Sequence, residues 1–429
     1  MTGRRIAAKD KVDKRGKSGE NVSRAALFDR MRKNVNRLYA SPVWSRLAVS
    51  VTTIILTVIV VSVILLLIGR DPLKALYSFF QGSGLAPKPS YSGRTGMFSD
   101  LFSFLGILAP MLLASLGVLV GLRGGLFNIG ISGQMLCAGF LATIVVGYSD
   151  LTKAAAIPLA IVIGLAAGGL LGTFVGWMKY RFNIHEVVST IMINYIVSFL
   201  TGFFIKTKYV DPIVRSSKAV RANARLNITG LTISHQAIVL PIGIFVALLC
   251  VFLIRFLMDR TTEGFEIRMV GANRECSRYA GVGINRVVMR TMAISGMLAG
   301  LAGVTYYLGY YNTIIPKELP TLGYDSIAVA LLGNLNPIGC VFSSFLITIF
   351  QKGAVYMSAS TGVVREIASV ITGILLLFSA FGSYIRENAI LKSRQLETGS
   401  DKPGGGTESG PPEAEKNPDL KATQGTGEV

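Results

Sequence analysis

A glycine-rich polar segment, Phe127 to Met135 (FNIGISGQM), lies directly between two long apolar runs. Hydrocarbon cannot satisfy the backbone N–H and C=O groups of such a break, so it is tolerated only where protein or a water-filled pathway takes up those groups. Asn128, Ser132 and Gln134 add side-chain donors and acceptors. The segment therefore marks a candidate solute path. Hydrogen bonding between helices is an equally weighted interpretation of Asn128 and Gln134.

Four more polar side chains within or beside apolar runs complete the candidate path: Thr190, Asn194, Tyr195 and Asp325. Polar groups in a membrane are costly and usually face a cavity or one another. The competing interpretation of the set is hydrogen bonding between helices, and for Asp325 it is a structural or gating role. None of the candidates is Lys or Arg, so they favour an uncharged solute over a phosphorylated or carboxylate one.

No constellation of residues predicts catalysis or a metal site. His185-Glu186 begins like the zinc motif HExxH, but Ser189 occupies the position of the second histidine. Gly16-Lys17-Ser18 lacks the glycine that a phosphate-binding loop requires five residues earlier. The cysteines have no CxxC spacing and are interpreted as packed apolar residues or free thiols: Cys137, Cys250, Cys276 and Cys340. The sequence thus predicts a chain that is not an enzyme and has no catalytic residue, metal, cofactor or ATP site.

The composition indicates a membrane protein throughout. Of 429 residues, 51% are hydrophobic and 16% are charged, and the mean hydropathy is +0.52. Apolar runs near the bilayer length of about 20 residues recur along the chain. They predict an all-α, polytopic membrane helix bundle of about 10 transmembrane helices, one of them short or broken. The predicted spans are 47–69, 101–121, 129–148, 156–178, 188–206, 236–258, 289–311, a short one at 324–334, 338–356 and 365–385.

The charges predict the orientation and the domains. Residues 1–46 contain 13 Lys/Arg and 4 Asp/Glu just before the first span, which places the N-terminus in the cytoplasm, and ten crossings return the C-terminus there. Nucleic-acid binding is not favoured because aromatic residues are sparse in this basic arm. The domains are therefore a basic arm (1–46), a transmembrane helix domain (47–386) and a polar tail (387–429) predicted to be disordered. Loop 207–235, assigned outside, is basic and contradicts the positive-inside tendency.

Two apolar runs carry ridges of small residues. Gly164, Gly168, Gly172 and Gly176 recur every four positions and so share one helix face, and Gly296 with Gly300 does the same in a later run. This spacing allows close contact of two helix backbones. Static packing is favoured over a moving interface.

Loop 259–288 is the second informative region, with the sequence DRTTEGFEIRMVGANRECSRYAGVGINR from Asp259 to Arg286. Residues 273–279 predict a short helix that ends at Ala280-Gly281, because glycine commonly stops a helix. Such an exposed helix between two spans suits docking of a cytoplasmic partner. A solvated connecting loop is the alternative for this segment taken alone.

Four motifs in order carry a family resemblance. They are FNIGISGQM, EVVSTIMINYI (186–196), MVGANRECSRYAGVGINR (269–286) and GYDSIAVALLGNLNPIG (323–339). Together they make residues 47–386 resemble the ABC-importer permeases of the branched-chain amino acid/simple-sugar class. Within this class the chain is most similar to nucleoside-type permeases that work with lipoproteins of the basic-membrane-protein kind. The long basic arm and the polar tail depart from the family pattern.

The resemblance implies an importer of the bacterial cytoplasmic (plasma) membrane. Its partners would be a substrate-binding lipoprotein, cytoplasmic ATP-binding subunits and a second homologous permease, in a heterodimer rather than a homodimer. The family's ATPase coupling loop carries over onto five residues here: Gly271, Asn273, Ala280, Gly281 and Asn285. The amides and hydroxyls of the candidate path would suit a ribose or a base edge, and Tyr195 would stack on a base.

Three alternatives stay open at this point. A simple-sugar permease of the ribose/galactose type shares most of these features. A secondary transporter would require an intramembrane carboxylate or ion site, and Asp325 is the one acidic residue that fits. A membrane enzyme would require a catalytic constellation, which the sequence does not provide.

Overall fold

The computed structural model describes residues 44–88, 96–233, 236–364 and, with gaps, 366–378. All of the described residues belong to a single compact unit. Nearly all of the predicted basic arm, the whole polar tail and the second half of the predicted span 365–385 lie outside the described residues.

The chain begins with a bent pair of helices. Helix α1 (Trp44–Leu67) is followed by α2 (Pro72–Gly82), and the two axes differ by 118° across a short break. The Asp71 carboxylate caps α2 by accepting hydrogen bonds from the N–H groups of Leu73 (3.0 Å) and Lys74 (3.4 Å), and Pro72 opens the first turn. An Asp-Pro pair is a standard helix start. Helix α2 was nevertheless missing from the predicted spans.

Helix α3 (Met97–Arg123) runs through the centre of the protein, since every residue from Leu108 to Gly121 is buried. Helix α4 (Ile131–Ala142) continues into a π-helical turn (Thr143–Gly147). Helix α5 (Lys153–Phe182) and helix α6 (Glu186–Phe204) follow, and α6 ends in a second π-helical turn (Ile205–Tyr209).

A β-hairpin corrects the all-α prediction. Strands β1 (Asn227–Ile233) and β2 (Gln236–Pro241) pair antiparallel, with Leu231 opposite Ile238 and an irregularity between Ile228 and Leu231. The hairpin occupies the end of the basic loop and the start of predicted span 236–258. Its strands are rich in Ile, Val, Leu and Thr. Strand β2 continues directly into the apolar sequence of the next helix, so the predicted helical span began too early, at residue 236.

The second half of the described chain is helical. Helix α7 (Gly243–Arg260) leads into two short helices, α8 (Thr262–Ala272) and α9 (Arg274–Tyr279). Helix α10 (Ile284–Val304) ends in a third π-helical turn (Thr305–Tyr311) and precedes the short α11 (Leu322–Leu332) and the long α12 (Pro337–Thr361). Loop 259–288 therefore holds two helices where one was predicted.

Within the described residues, five helices are long and apolar enough to cross a membrane: α3, α5, α6, α10 and α12, with the terminal π-helical turns included for α6 and α10. The bent pair α1–α2 adds a sixth if it forms one span. Helices α4 and α11 are shorter, and α7 carries Arg255, Asp259 and Arg260 in its 18 residues. The chain is thus a predominantly helical, multi-pass membrane protein.

The two predicted glycine ridges pack against one another. A Cβ on Gly168 would lie 2.7 Å from Gly300 Cα, and a Cβ on Gly172 would lie 3.1 Å from Gly296 Cα. Helices α5 and α10 therefore touch backbone to backbone, at a distance that only glycine allows.

Candidate functional site

Polar side chains meet where α4 begins, in a group that we call the α4 cluster (Asn128, Ser132, Gln134, Asn194 and Ser295). Asn128 Nδ2 donates hydrogen bonds to Gln134 Oε1 (3.1 Å) and to Ser295 Oγ (2.9 Å), and its Oδ1 accepts one from the Gly130 N–H (2.9 Å). The Ser295 hydroxyl donates in turn to the Gly117 carbonyl of α3 (2.7 Å). These contacts join α3, α4 and α10.

The other members of the cluster connect α4 to α6 and α11. Asn194 Oδ1 accepts from the Gly133 N–H (2.9 Å), a first-turn group that has no partner within its own helix. Its Nδ2 donates to the Ile129 carbonyl (3.1 Å) and to the Tyr324 hydroxyl (3.4 Å). The Ser132 hydroxyl donates to the Pro320 carbonyl just before α11 (2.9 Å). The backbone at the polar break is therefore satisfied by protein.

The α4 cluster leaves no space for a solute in this conformation. Its members are fully or almost fully buried, and a Cβ on Gly133 would lie 2.9 Å from Asn194 Cα. Thr190, also buried, donates its hydroxyl to the Glu186 carbonyl of its own helix (2.8 Å). Tyr195 is 56% exposed and lies apart from the cluster. Of the seven candidate path residues, four are brought together here, as links between helices.

Asp325 lies elsewhere, in the wall of a cavity of about 680 Å³. The cavity is bounded by the end of α2, the start of α3, the π-helical end of α10, the start of α11 and the second half of α12. Its charged, amide and aromatic lining residues are Lys88, Asp100, Tyr306, Tyr310, Tyr311, Asp325, Gln351, Lys352, Tyr356 and Glu366.

The polar groups of the cavity are held in place by one another. Gln351 Nε2 donates a hydrogen bond to Asp325 Oδ2 (2.5 Å). Lys352 Nζ donates to Ser103 Oγ (2.8 Å) and to the Tyr310 hydroxyl (3.1 Å), and it lies 5.5 Å from the centroid of the Tyr310 ring. Contact of an ammonium with an aromatic ring at this distance is favourable. The wall therefore combines a carboxylate, an amide and a cation in fixed positions.

Aromatic rings form much of the remaining surface. The Tyr306 and Tyr311 ring centroids are 4.7 Å apart, and those of Tyr310 and Tyr311 are 4.9 Å apart. Across the cavity lining, Lys88 pairs with Asp100 and lies 5.3 Å from the Tyr356 ring centroid. Clustered rings with a few fixed polar groups are typical of small-molecule sites.

The sequence offered two signals for this site that the prediction did not use. Residues 305–311 (TYYLGYY) place four tyrosines in seven positions, and the π-helical turn there widens the helix so that three of them line the cavity. Lys352 is an ionisable residue inside an apolar run, which is a standard pointer to function in a membrane protein. It was not among the candidate residues predicted from the sequence.

The predicted coupling loop packs on the segment that follows α3. A Cβ on Gly125 would lie 3.1 Å from Gly271 Cα, and Arg274 Nη2 donates to the Gly125 carbonyl (3.2 Å). Asn273 Oδ1 accepts from the Cys276 N–H (3.1 Å) and so caps α9. We call residues 262–283, with α8 and α9, the coupling segment.

The tip of the coupling segment is exposed. Tyr279 is 91% exposed, Ala280 is also exposed, and Gly281 has φ +78° with no atom within 4 Å of a Cβ placed on it. Asn285 follows the segment, in the first turn of α10, and is exposed as well. At its other end, the coupling segment contacts Gly125, which lies three residues before Asn128 of the α4 cluster. The coupling segment, the α4 cluster and α11 with Asp325 are thus connected by direct contacts.

Comparison with known proteins decides the family. Residues 101–380 match the family described as "Branched-chain amino acid transport system / permease component". The chain belongs to this permease family. The permease is 36% identical over 310 residues to the guanosine ABC transporter permease protein NupP of Bacillus subtilis, a match that covers 71% of this chain and 88% of NupP.

Two further relatives transport different solutes, according to their names. The nucleoside ABC transporter permease protein NupB of Lactococcus lactis subsp. cremoris is 32% identical over 301 residues (68% of this chain, 82% of NupB). The glucose ABC transporter permease protein TsgB13 of Haloferax volcanii is 24% identical over 348 residues (79% of this chain, 88% of TsgB13). No solved structure matches the chain.

These matches confirm the resemblance stated from the four motifs. The permease is a membrane-embedded transport subunit of an ABC system and not an enzyme, so the alternatives of a secondary transporter and a membrane enzyme fall away. Among the residues that the structure describes, no three His, Cys, Asp or Glu side chains are grouped as a metal site would require.

Proposed function

We propose that the permease translocates nucleosides in an ATP-driven importer, and that the cavity beside Asp325 holds the solute. The observation that carries this proposal is the combination of tyrosine faces with the Asp325–Gln351 pair in one cavity of about 680 Å³. Nucleobases stack on aromatic rings, and their edges and ribose hydroxyls require fixed donors and acceptors. The names of NupP and NupB support the same solute class.

An uncharged solute suits the charges of the cavity. Lys88 is paired with Asp100, Asp325 accepts from Gln351, and Lys352 is held by two hydroxyls and a tyrosine ring. A phosphate or carboxylate would have to compete with these partners for the lysines while facing the carboxylates of Asp325 and Glu366. Nucleosides require no such exchange.

The α4 cluster has a different role in this proposal. Asn128, Ser132, Gln134 and Asn194 hold the start of α4 against its neighbours and so fix the start of α11, which carries Asp325. Thr190 braces α6 internally. Of the candidate path residues, Asp325 alone is assigned to the path in this conformation, and Tyr195 is assigned to the outer surface of the bundle.

Cytoplasmic ATP-binding subunits would dock on the exposed tip of the coupling segment. Gly271, Asn273, Ala280, Gly281 and Asn285 are the residues that we assign to this coupling role. Movement of the segment would reach the cavity through Gly125 and the α4 cluster, because the contacts are continuous. A bistable packed bundle converts such a small displacement into inward and outward states.

The remaining partners follow from the type of transporter. A second homologous permease would complete the bundle as a heterodimer, and the relatives of this chain include two different nucleoside permeases of Lactococcus lactis, NupB and NupC. A substrate-binding lipoprotein would deliver the solute from outside a bacterial cytoplasmic membrane. The proposed arm (1–46), permease domain (47–386) and tail (387–429) place both termini in the cytoplasm after about ten crossings, with α4, α7, α11 and span 365–385 completing the count.

A simple sugar is the second candidate solute. The similarity to the glucose permease TsgB13 favours it, and a cavity with tyrosine rings and carboxylates also suits a pyranose ring with many hydroxyls. A sugar differs from a nucleoside in having no base. It would therefore offer no planar hydrogen-bonding edge to the Asp325–Gln351 pair.

Transport by the complete complex tests the proposal. The permease, its partner permease, the ATPase and the lipoprotein are reconstituted in proteoliposomes, and uptake of labelled inosine and uridine is measured with and without ATP. We expect ATP-dependent uptake that unlabelled nucleosides inhibit and that glucose, ribose and nucleotides do not. Asp325→Ala should lower this uptake, whereas Asp211→Asn, in an exposed turn, should not. Faster uptake of sugars, amino acids or nucleotides than of nucleosides would refute the proposal.

A further inference from the structure

We propose that the Asp325–Gln351 pair recognises the base of the solute and selects bases that present adjacent N–H and C=O groups. Uracil, thymine, hypoxanthine and guanine have this lactam edge. Cytosine and adenine present the reverse, a ring nitrogen acceptor beside an amino donor. The inference rests on the proposed nucleoside cavity and names the class of nucleoside that it prefers.

The two side chains form a single surface of the cavity. Asp325 lies in the first turn of α11 and Gln351 lies in α12, and both line the cavity. Both side chains are half-buried, and Gln351 Nε2 lies 2.5 Å from Asp325 Oδ2. Among the described residues, Asp325 Oδ1 receives no hydrogen bond. The carboxylate therefore keeps free acceptor sites next to the amide.

Chemistry fixes the orientation of the amide in this pair. An ionised carboxylate only accepts hydrogen bonds, whereas a glutamine amide has two donor hydrogens on its nitrogen and an acceptor oxygen. Gln351 must therefore turn its nitrogen, not its oxygen, toward Asp325. The second amide hydrogen then remains beside the carboxylate. The pair presents an acceptor and a donor side by side, in an order that cannot reverse while Asp325 is ionised.

This order matches a lactam edge and opposes an amino edge. The N–H of uracil or hypoxanthine would donate to Asp325 while the adjacent carbonyl accepts from Gln351. With cytosine or adenine, the ring nitrogen would face the carboxylate and the amino group would face an N–H donor. A site built from hydrogen-bonding groups rejects such a mismatch strongly, because its polar groups are left unpaired after losing water.

Asp325 has one competing use, which is to accept from the two hydroxyls of a ribose. In that case every ribonucleoside would bind alike whatever its base. Two ligand pairs separate these uses, because uridine differs from cytidine, and inosine from adenosine, only at the N–H/C=O or N/NH₂ edge.

The test is equilibrium binding of the four labelled nucleosides to the purified permease–ATPase complex in nanodiscs. The lipoprotein is omitted so that its own specificity does not contribute. We expect uridine and inosine to bind about tenfold more tightly than cytidine and adenosine, the ratio that about 1.4 kcal/mol of lost hydrogen bonding gives. Equal affinities within both ligand pairs would overturn the proposal.

Two variants locate the effect. Asp325→Asn keeps the shape of the side chain. Because an amide can present either its oxygen or its nitrogen, the order of donor and acceptor in the pair is no longer fixed, and we expect the affinity ratio within each ligand pair to fall toward one. Gln351→Met removes the donor and should weaken uridine and inosine while leaving cytidine and adenosine unchanged. Asp211→Asn, the same chemical change in an exposed turn, should keep the wild-type ratio.

The failures are distinguishable. If Asp325→Asn weakens all four nucleosides equally, Asp325 binds the ribose or supports the wall, and the base is recognised elsewhere. If the wild-type complex binds glucose or ribose and none of the four nucleosides, the nucleoside function itself is wrong. If it binds nucleosides with no preference in either ligand pair, the function stands and the recognition by this pair does not.

Discussion

The α4 cluster and the cavity beside Asp325 use polar side chains in opposite ways. In the α4 cluster, amides and hydroxyls are buried, and glycines around them leave no space. Asn128, Ser132, Asn194 and Ser295 bond to backbone groups, whereas the Gln134 amide accepts from Asn128 and its nitrogen has no partner among the described residues. In the cavity, a carboxylate, a lysine and tyrosines are half-buried and keep one side open. Neutral polar groups here join helices, and charged and aromatic groups line the cavity to which we assign the solute.

The difference has an energetic reason. An amide or hydroxyl can be fully satisfied by one or two carbonyls inside a helix bundle, so burying it is inexpensive once these bonds are made. A carboxylate or an ammonium requires more partners than a packed interface supplies, and it stays where water or a solute reaches it. Charge at membrane depth was therefore a better guide to the cavity than the polar break was.

The largest effect that we predict comes from the coupling segment, which the α4 cluster links to the cavity. Gly281→Trp places a bulky ring where nothing lies within 4 Å in the permease alone, so the bundle folds and the docking surface is blocked. Solute-stimulated ATP hydrolysis and transport should be lost, while equilibrium binding of inosine to the cavity is retained.

Gly281→Ala is the matched control, because it shares the strain of a side chain at φ +78° without the bulk. It should assemble and transport. Normal ATPase stimulation with Gly281→Trp in an assembled complex would remove the docking role from this residue.

The next largest effect that we predict is on stability, and it should differ between the neighbouring residues Asn194 and Tyr195. Asn194→Leu leaves the Gly133 N–H and the Ile129 carbonyl without their buried partner, at a cost of about 1–3 kcal/mol for each unpaired group. We expect a lower yield of folded protein and a lower thermal unfolding midpoint in detergent. Tyr195→Leu, exposed one residue later, should leave both unchanged. Equal midpoints of the two variants would mean that the α4 cluster does not hold the helices together.

Local features of the fold could be predicted from the sequence. The four-residue spacing of Gly164 to Gly176 predicted close contact of this helix face with another backbone, and the structure shows Gly296 and Gly300 as that partner. The Asp71-Pro72 start of α2 was a usable signal that the apolar runs concealed. Polar residues beside Gly130 and Gly133 were found, but the sequence does not distinguish a wall of a path from a link between helices.

The tyrosine-rich segment 305–311 and Lys352 were usable signals, but their assembly into one cavity could not be predicted because the lining residues are distant in sequence. Lys352 meets Ser103 across 249 positions, and Gln351 meets Asp325 across 26. No local pattern specifies which helices adjoin, and the contact of Gly82 with Gly353 that brings α2 against α12 involves two glycines without periodicity. Only Asp325 of the lining residues was among the candidates.

A smaller effect is expected at Lys352. Lys352→Met removes the cation and its bonds to Ser103 and Tyr310, which are both only partly buried, and Tyr310 still lines the cavity. Stability should therefore fall by only about 1 kcal/mol, less than for Asn194→Leu. Transport, measured as inosine uptake, should fall by about tenfold, the ratio that about 1.4 kcal/mol gives, because Lys352 no longer holds the Tyr310 ring in the cavity wall. Lys352→Arg should retain part of the uptake. A loss of folded protein as large as that of Asn194→Leu would place Lys352 with the packing residues.

The smallest expected effect is that a cysteine introduced in the α4 cluster does not react with a water-soluble thiol reagent. Single cysteines are introduced at Asn128, in the α4 cluster, and at Thr321, an exposed residue of the cavity wall, after the exposed Cys276 is replaced by serine. A charged, water-soluble thiol reagent should modify the cysteine at 321, and inosine should slow that reaction. The cysteine at 128 should not react above background, because every neighbouring atom belongs to a packed helix or its loop. Reaction at 128 that inosine or ATP slows would show that the α4 cluster opens during transport, and the cluster would then join the path after all.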